Sequence, residues 1–280
     1  MEFDLIASNL TNPTLLFFVL GILATLVKSD LEIPSSTVKF ISLYLLFSIG
    51  FKGGQELAHS SFSAEIAYSL LLGIAIASLI PLYTFFVLKR KMSVSDAAAV
   101  AATYGSVSAV TFVAATSFLE AQSIPFGGHM VAVMALMESP AIIVGVILMM
   151  KYDTEAEDNG NLKSIIQHSF TNGSVLMILG SLIIGLVADT KQAEGIKPFT
   201  TDIFKGFLAI FLLEMGMVTA RRIGAFRKYG WFLAAFAVVI PLINGVVFAL
   251  VSGLVTQNTG NRFMFAILAA SASYIAVRRR

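Results

Sequence analysis

The 280-residue chain has no cysteine, one tryptophan, three histidines and seven prolines, and only 13% of its residues are charged. Each shortage closes a class of function. Without cysteine there is no disulfide, no thiolate metal site and no thiol nucleophile. Soluble domains carry charge on ~25% of their residues. A chain that is 13% charged and 57% hydrophobic, with mean hydropathy +0.84, is therefore a polytopic membrane protein. Its net charge of +2 is small and its basic residues sit at the ends of apolar segments, which excludes nucleic acid as a partner. Glu2 and Asp4 stand where a signal peptide would be basic, and no small-residue cleavage site follows, so the first segment reads as a retained span.

The scarce histidines also limit chemistry. His59 and His168 fall in loops and His129 opens an apolar run, so no two have metal-ligand spacing and all three read as solvated. An intramembrane hydrolase would have only Ser108 with His129 to use, and no Gly-x-Ser-x-Gly elbow exists. Gly127-Gly128 is a turn, and Met130, Met134, Met137, Met149 and Met150 are spaced as packing residues. No cofactor is implied.

What the chain has in abundance is apolar runs. Hydropathy places nine spans near 10–27, 35–53, 64–88, 95–119, 128–150, 170–188, 200–219, 230–255 and 262–277. The second is the weakest, because Lys39 and Lys52 bracket its core and must tilt or snorkel outward. With the N-terminus outside, the inner loops hold Lys28, Lys89, Arg90, Lys91, Lys151, Lys163, Arg221, Arg222, Arg227 and Lys228. The outer loops hold only Lys52, Lys191, Lys197, Lys205 and Arg262, so the positive-inside rule favours an outside N-terminus. The polar connection Tyr152 to Gln167 reads as a cytoplasmic linker. Tyr229 and Trp231 read as interfacial belt aromatics.

The most informative stretch is Ala97 to Leu119. It holds no charged residue and is about 34 Å long at ~1.5 Å per residue, enough to span a bilayer. Its centre, however, carries Thr103, Tyr104, Gly105, Ser106, Ser108 and Thr111. Unpaired backbone groups cost several kcal/mol in lipid, so a spanning helix breaks only where protein or a watery cavity receives the freed groups. A continuous helix with hydroxyls bonded back to its own carbonyls is the alternative for this stretch alone.

A second copy favours the break. Gly21 and Gly185, Gly50 and Gly216, Pro81 and Pro241, Ser106 and Ser271, and Ser108 and Ser273 recur in one order at nearly one offset. Such recurrence predicts a duplication: a first repeat over 1–151, the linker over 152–168, and a second repeat over 169–280, all within one transporter domain. Five spans per unit is an odd number, so the repeats are inverted and two broken segments cross near the midplane, around Tyr104 to Ser108 and around Ala270 to Tyr274. Half-helix N-termini suit an anion, and freed carbonyls suit a small hard cation such as sodium. The hydroxyls of Ser106, Ser108, Ser271 and Ser273 fit either ligand.

Other polar residues in apolar surroundings are Glu138, Glu214 and Asn244. An intramembrane carboxylate such as Glu138 is a functional candidate by default, for sodium or for a proton. Its alternative is a hydrogen bond to the neighbouring break. Glu214 is expected to pair with Arg221 or Arg222. Asn244, three residues after Pro241, is able to bond carbonyls that the proline frees.

At Tyr104-Gly-Ser-Val-Ser-Ala-Val-Thr111, Phe118-Leu-Glu-Ala-Gln-Ser-Ile-Pro125 and Met137-Glu-Ser-Pro-Ala141 the chain resembles the sodium-dependent bicarbonate transporter family first known in cyanobacteria. Ile49-Gly-Phe-Lys-Gly-Gly54, Met215-Gly-Met217, Pro241-Leu-Ile-Asn-Gly245 and Ala269-Ala-Ser-Ala-Ser273 extend the resemblance in order over nearly the whole chain. It implies ten spans in two inverted units of five, a core moving against a gate, trimers, inward carriage of bicarbonate with sodium, and control by a small soluble regulator of the PII kind. Two features depart from the family. The second broken helix reads Tyr274-Ile-Ala-Val277 and ends at Arg278-Arg-Arg280, so a tenth span is expected to be missing by truncation; the acidic linker is also short, which weakens the regulator.

The sequence thus predicts an all-α polytopic protein of the bacterial inner membrane with a 5+5 inverted-repeat fold, about nine spans and two crossing broken helices. Its predicted activity is sodium-dependent symport of bicarbonate or another small oxyanion, without enzymatic chemistry. The anion falls to Gly105, Ser106, Ser108, Ser271 and Ser273, and sodium to Thr103, Thr111, Glu138 and Asn244. The rival readings are a sodium/proton antiporter or organic-anion carrier of similar fold, and a truncated remnant that does not transport.

Overall fold

The computed structural model describes residues 11–59, 63–152 and 173–273. Most of the linker, with Lys163 and His168, lies outside them, as do the chain's first ten and last seven residues. All regular elements among the described residues are helices, with no strand. In order they form α1 (Pro13–Leu26), α2 (Ser35–Ala58), α3 (Ala64–Leu88), α4 (Val94–Gly105), α5 (Ala109–Ala121), α6 (His129–Tyr152), α7 (Gly173–Val187), α8 (Thr190–Glu194), α9 (Phe204–Val251) and α10 (Thr259–Ala270). A π turn, Pro198–Asp202, precedes α9. The long α9 is two helices joined at Gly230, whose φ of 73° is a left-handed backbone open to glycine.

Among the described residues, five segments are long and apolar enough to cross a membrane: Ala64–Leu88, Val94–Ala121, His129–Tyr152, Pro198–Ile223 and Gly230–Leu254. Pro13–Leu26 and Gly173–Val187 are apolar but shorter. The predicted second span is the 24-residue α2, where Lys52 pairs with Glu120 at 3.0 Å in an exposed bridge. Trp231 is 85% exposed, as suits a belt aromatic.

The chain forms two compact units. One comprises Met1–Ser48 with Asp189–Val238. Here α1 packs directly on the first arm of α9. A Cβ on Gly21 would lie 2.0 Å from the Leu213 carbonyl oxygen, and one on Gly216 would lie 2.1 Å from that of Phe18, so only glycine permits this approach. Thr25 donates to the carbonyls of Gly21 and Met217. Tyr44 of α2 donates to the Phe199 carbonyl and packs on Phe199 and Phe207 at centroid distances of 4.9 and 4.5 Å. As expected, Glu214 pairs with Arg221, at 3.3 Å.

The other unit comprises Ile49–Ala188 with Val239–Arg280. It repeats the glycine contact with exchanged partners: a Cβ on Gly185 of α7 would lie 2.2 Å from the Phe51 carbonyl oxygen, and one on Gly54 of α2 would lie 2.1 Å from that of Leu182. Gln55 secures this crossing by donating to the carbonyls of Gly185 and Ala188. The core is built from α3, α4 and α6, with Phe85, Ile76, Ile80, Met130 and Met137 fully buried. Pro81 cannot donate to the α3 ladder. One turn on, Thr84 donates its hydroxyl to the Ile80 carbonyl at 2.6 Å. At the cytoplasmic end expected for α3, the Lys89 ammonium lies 4.5 Å from the ring centroid of Phe86 and 4.3 Å from that of Tyr152. Such a cation–π contact is worth roughly 0.5–2 kcal/mol.

The first turn of α10 is held by a polar cluster. The Glu65 carboxylate accepts from the Thr256 hydroxyl and from the Asn261 amide at 3.2 Å, while Asn261 Oδ1 accepts from the Gly127 N–H at 2.7 Å. His129 lies beside this cluster and is only 6% exposed, so its expected solvation is overturned: the turn before α6 folds over the ring. His59 is exposed at the end of α2.

Candidate functional site

The break predicted within Ala97 to Leu119 is present. The helix α4 stops at Gly105, Ser106 and Ser108 adopt extended backbone, and α5 resumes at Ala109. Two side-chain effects make the break. Gly105 lies against Pro81, whose Cγ would be 2.2 Å from any Cβ there, so α4 ends in a contact that only glycine permits. Ser108 then caps α5, its Oγ accepting from the Thr111 N–H at 3.3 Å.

The helix α10 ends in a similar form. Val94–Gly105 and Thr259–Ala270 are both twelve residues long. Each is N-capped by a side-chain oxygen, of Ser93 and of Asn258. Each ends in an extended serine: Ser106 at φ −84°, ψ 159° and Ser271 at φ −82°, ψ 161°.

The break after α4 meets the end of α10. Ser108 N–H donates to Ser271 Oγ at 3.3 Å across a separation of 163 residues, and Ser273 N–H donates to the Thr103 carbonyl at 2.8 Å. Freed backbone groups thus find partners in the opposite break, as a membrane interior requires. Each such bond has a net worth of only ~1 kcal/mol, but leaving its groups unpaired would cost more.

The predicted anion group, Gly105, Ser106, Ser108, Ser271 and Ser273, is buried at this crossing, its serines 3–8% exposed. Their hydroxyls are not equivalent. Ser271 spends its one hydrogen on the Leu268 carbonyl at 2.9 Å, and Ser108 Oγ is occupied as a cap. Ser106 Oγ is fully buried with no partner, which leaves its hydrogen free for an incoming acceptor.

The predicted sodium group is more dispersed. Thr103 turns its hydroxyl onto the Val100 carbonyl at 2.7 Å and offers the site only backbone, while Thr111 sits in the first turn of α5. Glu138 is 8% exposed and its Oε1 has no partner, so the alternative of a hydrogen bond from the neighbouring break has no support at that atom. Register puts it level with the crossing. Gly145 of α6 lies against Ala98 and Ala102 of α4. Two turns back along α6 is Glu138, and the same ~10 Å along the oppositely directed α4 reaches the break. The next residue, Ser139, also has a buried hydroxyl without a partner. Asn244 reaches away from the carbonyls near Pro241: its Oδ1 accepts from the Tyr83 hydroxyl, and its buried Nδ2 has no partner.

Tyr83 is the residue that sequence reasoning missed. A cavity of about 480 Å³ in the same unit is lined by Gln55, Glu56, His59, Phe126, Gly127 and Gly128, and includes none of the crossing residues.

The family model of the Na+-dependent bicarbonate transporter superfamily matches residues 13–278. The chain belongs to that superfamily. It is a membrane transporter rather than an enzyme, and sodium and bicarbonate are the transported ions that membership in the Na+-dependent bicarbonate transporter superfamily implies. No curated protein matches the chain. In this member of the superfamily, the matched region contains both breaks and every residue predicted to bind anion or sodium.

Proposed function

We propose that the chain is a sodium-coupled bicarbonate symporter working by alternating access, with its substrate at the crossing of the two breaks. The observation that carries this reading is the meeting of the break after α4 with the end of α10, Ser108 N–H on Ser271 Oγ and Ser273 N–H on the Thr103 carbonyl, among buried serines. The N-terminus of α5 and the Ser106 hydroxyl supply donors for the oxyanion, with Gly105, Ser108, Ser271 and Ser273 shaping its surroundings. Sodium is assigned to the Thr103 and Thr111 oxygens and the Glu138 carboxylate. The anion and sodium then offset each other's charge in a medium where either alone is costly.

Matched half-helices of equal length, and glycine contacts that exchange partners between spans, support the inverted repeat of 1–151 and 169–280. The excess of Lys and Arg on one side supports an outside N-terminus. A trimer and a PII-like regulator follow only from the family resemblance. The buried, unpartnered Glu138 carboxyl favours one second reading, exchange of sodium for protons.

Uptake of radiolabelled bicarbonate into proteoliposomes under inward sodium and matched potassium gradients tests both. Sodium-specific uptake supports symport. Sodium-driven proton movement without bicarbonate supports the antiporter, and neither flux from monodisperse protein overturns both.

A further inference from the structure

Resting on the symport reading, we propose that Tyr83 is a positioning residue that fixes the Asn244 carboxamide as a hydrogen-bond donor to the transported oxyanion, which removes Asn244 from the sodium ligands. Asn244 is 3% exposed on α9, and its only bonded atom is Oδ1, which accepts from the Tyr83 hydroxyl of α3. Nδ2 is fully buried with both hydrogens unused. The opposite placement of the amide is worse. With Nδ2 toward Tyr83, the phenol would accept instead of donate, its own hydrogen would lose its acceptor, and Oδ1 would be orphaned as well. Tyr83 therefore selects the face of the amide that remains open, and that face is donor-only.

A donor-only group repels a cation and attracts an anion. Its neighbours put it at the crossing: Gly245, the next residue, approaches Ala270 and the Ala266 carbonyl of α10, one residue short of Ser271. Pro81, two residues before Tyr83 and so at the same depth but on the opposite face of α3, abuts Gly105 of the first break. Sodium retains Glu138 and the threonine oxygens, so the reassignment leaves each ion with ligands of the proper sign. Tyr83 itself touches neither ion; it acts through Asn244.

The test uses the full chain in detergent and in proteoliposomes, with bicarbonate and sodium affinities measured separately by ligand-induced thermal shift and by uptake KM. Tyr83→Phe keeps the ring and its packing, and is expected to raise the bicarbonate KM about tenfold, the worth of roughly one hydrogen bond to a charged group. Sodium affinity stays within twofold of the wild type. Asn244→Asp keeps shape but replaces both donors with acceptors, and is expected to abolish bicarbonate binding while preserving or tightening sodium binding. Loss of sodium affinity in Tyr83→Phe, with bicarbonate affinity unchanged, overturns the inference, and so do equal losses of both. Wild-type protein that binds no bicarbonate in sodium is a different failure, that of the symport reading.

Discussion

Replacing Gly105 with alanine tests the crossing most directly, because the change adds one methyl and removes no polar group. The new Cβ would sit 2.2 Å from Pro81 Cγ, 2.5 Å from its Cδ and 2.9 Å from the Ala77 carbonyl oxygen. Carbon atoms pack at ~3.5 Å, so α3 and the end of α4 must separate by about 1.3 Å. A proline ring cannot rotate aside. The Ser108–Ser271 bond, already 3.3 Å long, has little slack, and a displacement of that size opens it. Overpacking of this kind costs ~1–3 kcal/mol, which lowers the melting temperature by a few degrees without unfolding the chain. The functional loss is larger. A misplacement of ~1 Å at a site that must position a ligand costs on the order of a hundredfold, here in kcat/KM for bicarbonate uptake. Gly180→Ala is the control, since its Cβ would meet nothing within 4 Å and gains up to ~1 kcal/mol of helix propensity. If Gly105→Ala transports within twofold of the wild type, the crossing is not the substrate site and the assignment fails.

Ser106→Ala should weaken bicarbonate affinity by about tenfold or more and leave thermal stability unchanged, because its hydroxyl has no internal partner to lose; binding and melting curves on one preparation check both. Glu138→Gln should raise the melting temperature in sodium-free buffer, by relieving a buried unpaired carboxylate whose insertion costs ~2.5–3.5 kcal/mol. The same variant should lose the stabilisation that sodium gives the wild type, and a sodium response equal to the wild type's would remove Glu138 from the cation site. Gly21→Ala and Gly216→Ala should each destabilise the protein by more than ~1 kcal/mol, since each forces a methyl onto a backbone carbonyl 2.0 or 2.1 Å away. Thermal melts beside Gly206→Ala, where nothing lies within 4 Å, check this.

The break at Gly105–Ser108 was legible because small and hydroxyl residues stand out within an uncharged run. Its relation to Ser271 and Ser273 was legible because spacing survives when side chains vary. Glu214 and Arg221 were legible because seven residues on a helix bring two charges to one face. The Tyr83–Asn244 and Glu65–Asn261 bonds were not, since their partners lie 161 and 196 residues apart. In a soluble helix an apolar stripe marks the inward face, but α3 is apolar all round and its pattern does not say which side meets protein. The same uniformity hid the burial of His129, which depends on a turn folding over it, and gave no hint that Asn244 would turn away from Pro241.

The two breaks touch partly through main chain, by the Ser273 amide on the Thr103 carbonyl. A bond of that kind is indifferent to which side chains flank it. On the proposed assignment, exchanging hydroxyls, carboxamides or carboxylates around it would change which ion is preferred without dismantling this joint. On the proposed assignment, new ion preferences would therefore arise within a lineage by single substitutions at Ser106, Glu138 or Asn244, while Gly105 and Pro81, which pack against each other, would be the positions where drift is least tolerated.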